Sequence, residues 1–297
     1  MSFDLPAYLA ARTRAVDEAL ARVLPAESEM PETVHRAMRY SVFAGGKRLR
    51  PVLVIAGAEA VGGTMPDVLP TACAMELIHT YSLVHDDLPA MDDDDFRRGR
   101  PTNHKVFGEA MAILAGDGLL TLAFRLLADN VGPDAPARVL RDVLVEIAEA
   151  AGTRGMVGGQ VADIESAGKP VDAEAVDEIH MHKTAALIRA SIRAGAILCG
   201  GTPDQLRALA VAGGNLGLAF QIVDDILDIV GTTEELGKTA GKDQAQRKAT
   251  YPALHGLEAS RARARSLVAG ADAALAPLGP AAEPLRALAG FILERKG

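Results

Sequence analysis

Tryptophan is absent from this 297-residue chain, and the other aromatics are only four Tyr and seven Phe. A sheet-rich core draws on aromatic and β-branched residues, whereas alanine and leucine dominate here, so the expected fold is all-α. Cysteine is also scarce: Cys73 and Cys199 form no spaced set, which excludes a Zn signature or a disulfide framework and makes a reducing compartment the default. Basic residues are in deficit, 31 Lys and Arg against 39 Asp and Glu. The resulting formal charge of -8 argues against nucleic acid as the main partner and leaves any anionic substrate dependent on local basic clusters or bound metal. No run of about 18 uncharged apolar residues occurs, and MSFDLPAYLA has neither a basic nor an apolar targeting region. The expectation is a cytoplasmic protein without stable membrane insertion. No Pro, Gly or Ser-rich linker divides the chain, so residues 1–297 read as one domain.

What is present is helical periodicity. Apolar positions recur at three and four residue spacing from Leu5 to Leu24, and similar patterns run from Glu32 to Phe43, Pro51 to Val61 and Asp67 to Asp87. Further helices are expected over Glu109–Asp129, over Ala135–Ile164 with a break near Gly152 to Gly159, from an Asp172 cap through HMHKTAALIRASIRAGAIL, and over Asp204–Val230. Gly231 to Thr250 reads as a polar, glycine-dotted loop of the kind used as a lid, and two helices finish the chain. No strand pattern competes.

The stretch HDDLPAMDDDDFRRGR, His85 to Arg100, interrupts this regularity with six aspartates followed by Arg97, Arg98 and Arg100. Carboxylates packed so closely repel one another, and divalent cations relieve the repulsion. Hard oxygen ligands select Mg²⁺, Mn²⁺ or Ca²⁺, and guanidinium groups suit phosphate. A solvated acidic turn would explain the run alone, but a second set, Asp224, Asp225 and Asp228, stands inside the apolar segment FQIVDDILDIV. Unpaired carboxylates in apolar helices cost too much to be incidental. The two sets together point to a metal and diphosphate site.

Other residues gain meaning from position. Gln221, Asp224 and Asp228 share a helical stripe, with Asp225 about 100° round from Asp224. Lys47, Arg48 and Arg50 follow a Gly pair at a helix start, either an anion pocket or a solvated trio. Met75, His79, Ser82 and Asp86 fall on one face, although a lone His on a helix is more often a hydrogen-bonded core residue than a ligand. Lys183 and Thr184 interrupt an apolar helix and face either a cavity or solvent. His104, His180 and His182 show no metal spacing.

DDLPAMD at 86–92 followed by RRG, and DDILD at 224–228 preceded by FQ, resemble the two aspartate-rich motifs of the trans-prenyl diphosphate synthases. GGKRLRP at 45–51, HKT at 182–184 and LGK at 236–238 stand where that family's other motifs would. The likeness spans nearly the whole chain and is closest to the bacterial farnesyl diphosphate synthases, or geranyltranstransferases. It implies about ten helices around a deep cavity, a homodimer, and three Mg²⁺ ions (Mn²⁺ being possible) bridging the acids to an allylic diphosphate. By that resemblance Asp86, Asp92 and Asp224 would be metal ligands, supported by Asp87, Asp225 and Asp228. Arg97, Lys183 and Lys238 would hold the allylic diphosphate, and Gly46, Lys47, Arg50, His79 and Arg98 would surround isopentenyl diphosphate. Thr184 and Gln221 would lie near the developing cation, and Tyr81 would form the floor that stops the chain at farnesyl length. Val223 departs from the polar residue common there. A geranylgeranyl diphosphate synthase and a non-catalytic regulatory subunit are the alternatives. A terpene cyclase fits less well, because its second metal site mixes Asn, Ser or Thr and Glu.

Overall fold

The computed structural model describes residues 3–132, 135–169, 171–230 and 250–295. Within them the chain is built from helices α1 (Leu5–Val23), α2 (Glu32–Val42), α3 (Leu49–Glu59), α4 (Met65–Asp86), α5 (Asn103–Phe107), α6 (Glu109–Asn130) and α7 (Ala137–Ala151). They are followed by α8 (Met156–Ser166), α9 (Ala173–His180), α10 (Ala186–Leu198), α11 (Pro203–Val230), α12 (Tyr251–His255), α13 (Leu257–Leu275) and α14 (Glu283–Glu294). The all-α expectation holds, with additions that periodicity did not show, among them the short α5 and a 3₁₀ segment, Ala276–Ala282. A two-residue ribbon pairs β1 (Phe96–Arg97) with β2 (Arg100–Pro101), and a π-helical turn, Met181–Ala185, separates α9 from α10.

Local chemistry sets several boundaries. Thr64 and Asp67 form a reciprocal capping box that starts α4, and the Asp172 carboxylate accepts from the Ala175 N–H at 2.9 Å to start α9. The glycines of 152–159 separate α7 from α8, as the sequence implies.

Helices α3 and α10 are the central pair, and they join two apolar clusters. Val54, Ile55 and Ala58 of α3 pack towards α1, α2, α4, α6 and α7, while Val52, Leu53 and Ala56 pack towards α11, α13 and α14. A helix buried on both sides cannot show amphipathic periodicity; it needs small residues where backbones meet. A Cβ on Gly57 would strike the Ile192 carbonyl, and one on Gly195 the Val54 carbonyl. The alanine and glycine richness of the chain is thus a close-packing device. Helices α6 and α11 are long and apolar enough by composition to cross a membrane, but half of the α11 stretch is buried within the protein.

Candidate active site

Helix α4 delivers Asp86 and Asp87 at its last turn, after which Pro89 prevents continuation. The chain then folds back: the Asp92 N–H donates to the Asp86 carbonyl at 2.8 Å and Asp94 N–H to the Asp87 carbonyl at 3.2 Å. This turn uses Asp93 in the left-handed region, φ 48°, and sets Asp92 beside Asp86. The following ribbon is tied to α2 by Tyr40 Oη donating to the Pro101 carbonyl, 2.8 Å, and by Arg100 over the Tyr40 ring.

The two aspartates of the first pair have different fates. Asp87 is buried and ion-paired with Arg97, whose Nε and Nη2 reach it at 2.6–2.9 Å. Asp86 lines the cavity instead, and burial, with Asp92 and Asp87 nearby, pushes its carboxyl up to about 6 against the pull of Lys183 and Arg97. A carboxylate held in this way is short of positive charge, so its chemistry fits a divalent cation.

Helix α11 carries the second set, pressed against the π turn and α10 through a glycine pair. A Cβ on Gly217 would strike Ala185, and one on Gly213 would lie 2.8 Å from the Arg189 Cα. Four and eight residues after Gly217, Gln221 and Asp225 continue the same stripe. Thr184 Oγ1 donates to Gln221 Oε1 at 2.7 Å, and Gln221 Nε2 donates to Asp225 Oδ1 at 2.9 Å. Asp225 also accepts the Tyr251 N–H at 2.9 Å and has His180 Nε2 at 3.4 Å. Gln221 therefore groups with Asp225, whereas the sequence stripe placed it with Asp224 and Asp228. Burial holds the His180 imidazole below its ordinary pKa. Asp224 lies on the adjoining stripe and meets Arg295 at 2.6 Å. Asp228 is only 2% exposed and is not among the residues lining the cavity.

These elements enclose a cavity of about 660 Å³ lined by Asp86, Asp92, Asp224, Asp225, Lys183, Thr184 and Gln221, with Tyr81, Val157, Val161, Ile164 and Ile179 among its less polar wall. Tyr81 is buried, edge-on to His85 at 5.8 Å. The π turn places Lys183 Nζ 2.6 Å from Asp163 of α8, an acid that sequence reading missed because α8 shows no motif. Gly159 is what lets α8 approach, since a Cβ there would strike the Lys183 backbone.

A second pocket of about 440 Å³ adjoins the first and is basic, lined by Lys47, Arg50, His79, Arg97, Arg98 and Arg295. Burial and neighbouring arginines keep His79 well below its ordinary pKa, so it stands neutral among cations. Burial lowers Arg50 to about 10. Gly46, φ 122°, makes room for Arg98: a Cβ there would fall 2.5 Å from the guanidinium, which also donates to the Gly45 carbonyl. Arg48 borders the same pocket but commits its guanidinium to acids of the protein. From a left-handed backbone its side chain turns inward to Glu76 at 2.7 Å and Asp17 at 2.8 Å, a structural ion pair inside what reads as a uniform basic motif.

Of the residues picked out by sequence, the structure thus gathers Asp86, Asp92, Asp224, Asp225, Lys183, Thr184, Gln221 and Tyr81 at one cavity, and Lys47, Arg50, His79, Arg97 and Arg98 at its basic neighbour. Met75 is buried in the core and does not line the cavity that His79, Ser82 and Asp86 share. Lys238 and the loop 231–249 lie outside the described residues. His104, without metal spacing in sequence, has a ring nitrogen within 4.8 Å of carboxylate oxygens of Asp93 and Asp95.

The polyprenyl synthetase family profile matches residues 31–274. The chain is 48% identical over 295 residues to a dimethylallyltranstransferase of Fischerella ambigua, covering 99% of this chain and 84% of the relative. The chain belongs to the polyprenyl synthetase family. It is also 50% identical over 301 residues to the heterodimeric geranylgeranyl pyrophosphate synthase large subunit 1 of Arabidopsis thaliana, covering 99% of this chain and 80% of that one. An FPP/GFPP synthase from Zymomonas mobilis has a solved structure similar at TM-score 0.86 and 37% identity, over 97% of this chain and 98% of that one. The chain is accordingly a prenyltransferase, and the family's substrates are isopentenyl and allylic diphosphates.

Proposed function

We propose that this prenyltransferase condenses isopentenyl diphosphate head to tail with an allylic diphosphate to make a short-chain product. The observation that carries the reading is the shared wall: Arg50, His79, Arg97, Arg98, Phe220 and Asp224 line both the acidic cavity and the basic pocket. Two diphosphates would sit on either side of it, with their hydrocarbon parts meeting in the cavity.

Asp86, Asp92 and Asp224 would hold Mg²⁺, which when bound neutralises charge building on the allylic leaving group. Lys183 and Arg97, both facing Asp86, add fixed positive charge there. Thr184 donates its proton to Gln221 and lines the cavity, so its oxygen would be available as an acceptor where the allylic cation would form. Lys47, Arg50 and Arg98 hold the second diphosphate and fix the attacking double bond. Neutral His79, with its lowered pKa, is a weak base, which leaves the final proton to the released diphosphate.

Tyr81 supports farnesyl diphosphate as the product, because its ring lines the cavity one helical turn and more behind Asp86, about 7 Å along the axis. Geranylgeranyl diphosphate is the second reading, favoured by the names of relatives such as the Arabidopsis large subunit. Mass analysis of products from isopentenyl and dimethylallyl diphosphate with Mg²⁺ separates fifteen from twenty carbons, and Tyr81→Ala should lengthen the product. A folded protein that forms no prenyl product would overturn the whole reading. We also propose a homodimer paired through α6, whose Ile113, Leu114 and Phe124 are exposed along one side; light scattering would show its mass.

A further inference from the structure

Among the described residues, Asp224 is the acid that lines both the acidic cavity and the basic pocket. Its partner is Arg295, which follows the last turn of α14 with an extended backbone and sends its side chain back into the basic pocket. The side chain is only 6% exposed. Nη2 lies 2.6 Å from Asp224 Oδ1 and donates to the Phe220 carbonyl at 2.6 Å, and the guanidinium stacks 3.8 Å over the Phe220 ring. Nε is buried with no acceptor among the described residues. Lys47 shares this wall, with Nζ 5.9 Å from the Phe291 ring, and responds electrostatically to both Arg295 and Asp224.

A divalent cation on Asp224 draws off the carboxylate's charge and repels the guanidinium seated 2.6 Å from its Oδ1, so the two compete for one acid. Metal at Asp224 therefore releases a cation that already lies in the second pocket, carrying at least one donor, Nε–H, in want of an acceptor. We propose that Arg295 exchanges Asp224 for the diphosphate of the second substrate, so that metal loading of the acidic cavity prepares the basic pocket. This rests on the prenyl-transfer reading above and adds a coupling between its two halves. The planar fork suits both partners, carboxylate and phosphate.

The test uses the full chain and Mn²⁺ with inorganic pyrophosphate, following the free aquo-ion signal by electron paramagnetic resonance, alongside steady-state kinetics. Arg295→Gln should tighten Mn²⁺ binding by about threefold or more, the size of one screened ion pair. It should raise the KM for isopentenyl diphosphate about tenfold, as expected for loss of a charge-assisted hydrogen bond, with the allylic KM nearly unchanged. In an Asp224→Asn background, Arg295→Gln should no longer affect Mn²⁺. Arg295→Lys, which keeps the charge, should restore the Mn²⁺ affinity towards that of the parent and guards against a merely structural effect of Gln. Unchanged Mn²⁺ affinity in Arg295→Gln, or equal changes in both KM values, would overturn the exchange. If Asp224→Asn itself leaves Mn²⁺ binding intact, the metal reading of Asp224 fails, a separate and distinguishable result.

Discussion

The two aspartate pairs, Asp86–Asp87 and Asp224–Asp225, solve one problem by different means. Adjacent helical residues diverge by about 100°, so a pair cannot present both carboxylates to one ligand without strain. In each pair the first member lines the cavity, and the second is tied to the protein as a strut, although Asp225 also reaches the cavity wall. Asp87 is braced by a charge, the Arg97 guanidinium, which also faces the cavity. Among the described residues Asp225 accepts from the Gln221 amide and the Tyr251 N–H, with His180 close by. The difference matters because Arg97 can bind phosphate while it orients Asp87, whereas the Asp225 brace secures α11 against α9 and the start of α12. A doubled aspartate thus sets a cavity-lining carboxylate beside its own anchor.

Breaking the cavity-facing members should have the largest effect. Asp86→Ala and Asp224→Ala are each expected to lower turnover by more than about 100-fold with circular dichroism unchanged, because changes merely adjoining metal ligands already cost about 10 to 100-fold. Near-parental turnover in either would dissolve the distinction between ligand and strut.

The struts should fail differently. Asp225→Asn is expected to cost about 1–3 kcal/mol of stability in denaturant unfolding, since it replaces an acceptor by an amide N–H donor facing donors. Its thermal midpoint should still rise on adding Mg²⁺ and pyrophosphate, while that of Asp86→Asn should rise much less. Equal flattening in both variants would make Asp225 a ligand after all.

The glycine pair on α11 offers a milder perturbation. Gly217→Ala should cost about 1–3 kcal/mol by pushing α11 off the π turn, with a fall in turnover that Gly214→Ala, whose Cβ meets only Met181 Cε at 4.0 Å, does not share. Comparable losses in both would show that the close approach is unimportant.

The smallest effect is on pH. The Asp86 carboxyl is raised to about 6, so protons occupy it increasingly below that pH and compete with metal. The Mg²⁺ concentration for half-maximal rate should therefore climb as pH falls through about 6 and level off above it. A requirement flat from pH 5 to 8 would separate Asp86 from metal binding.

Much of this was legible in the sequence because spacing carries it. Alanine-rich helical periodicity, two acidic motifs and a Gly-flanked basic run give the all-α class and most of the residues that meet at the cavity. What spacing could not assign was partnership. Arg48 and Arg50 are two residues apart in one basic motif, yet the first serves a buried Glu76 and the second a pocket. Asp163 has no motif and is found only because α8 packs on the π turn. The π turn itself has no sequence signal, since it arises where α9 and α10 must join while α8 and α11 press from both sides. Residue type and period decided which groups are available; long-range packing decided which of two neighbouring identical side chains faces the cavity and which holds the helix, because that choice depends on what stands opposite.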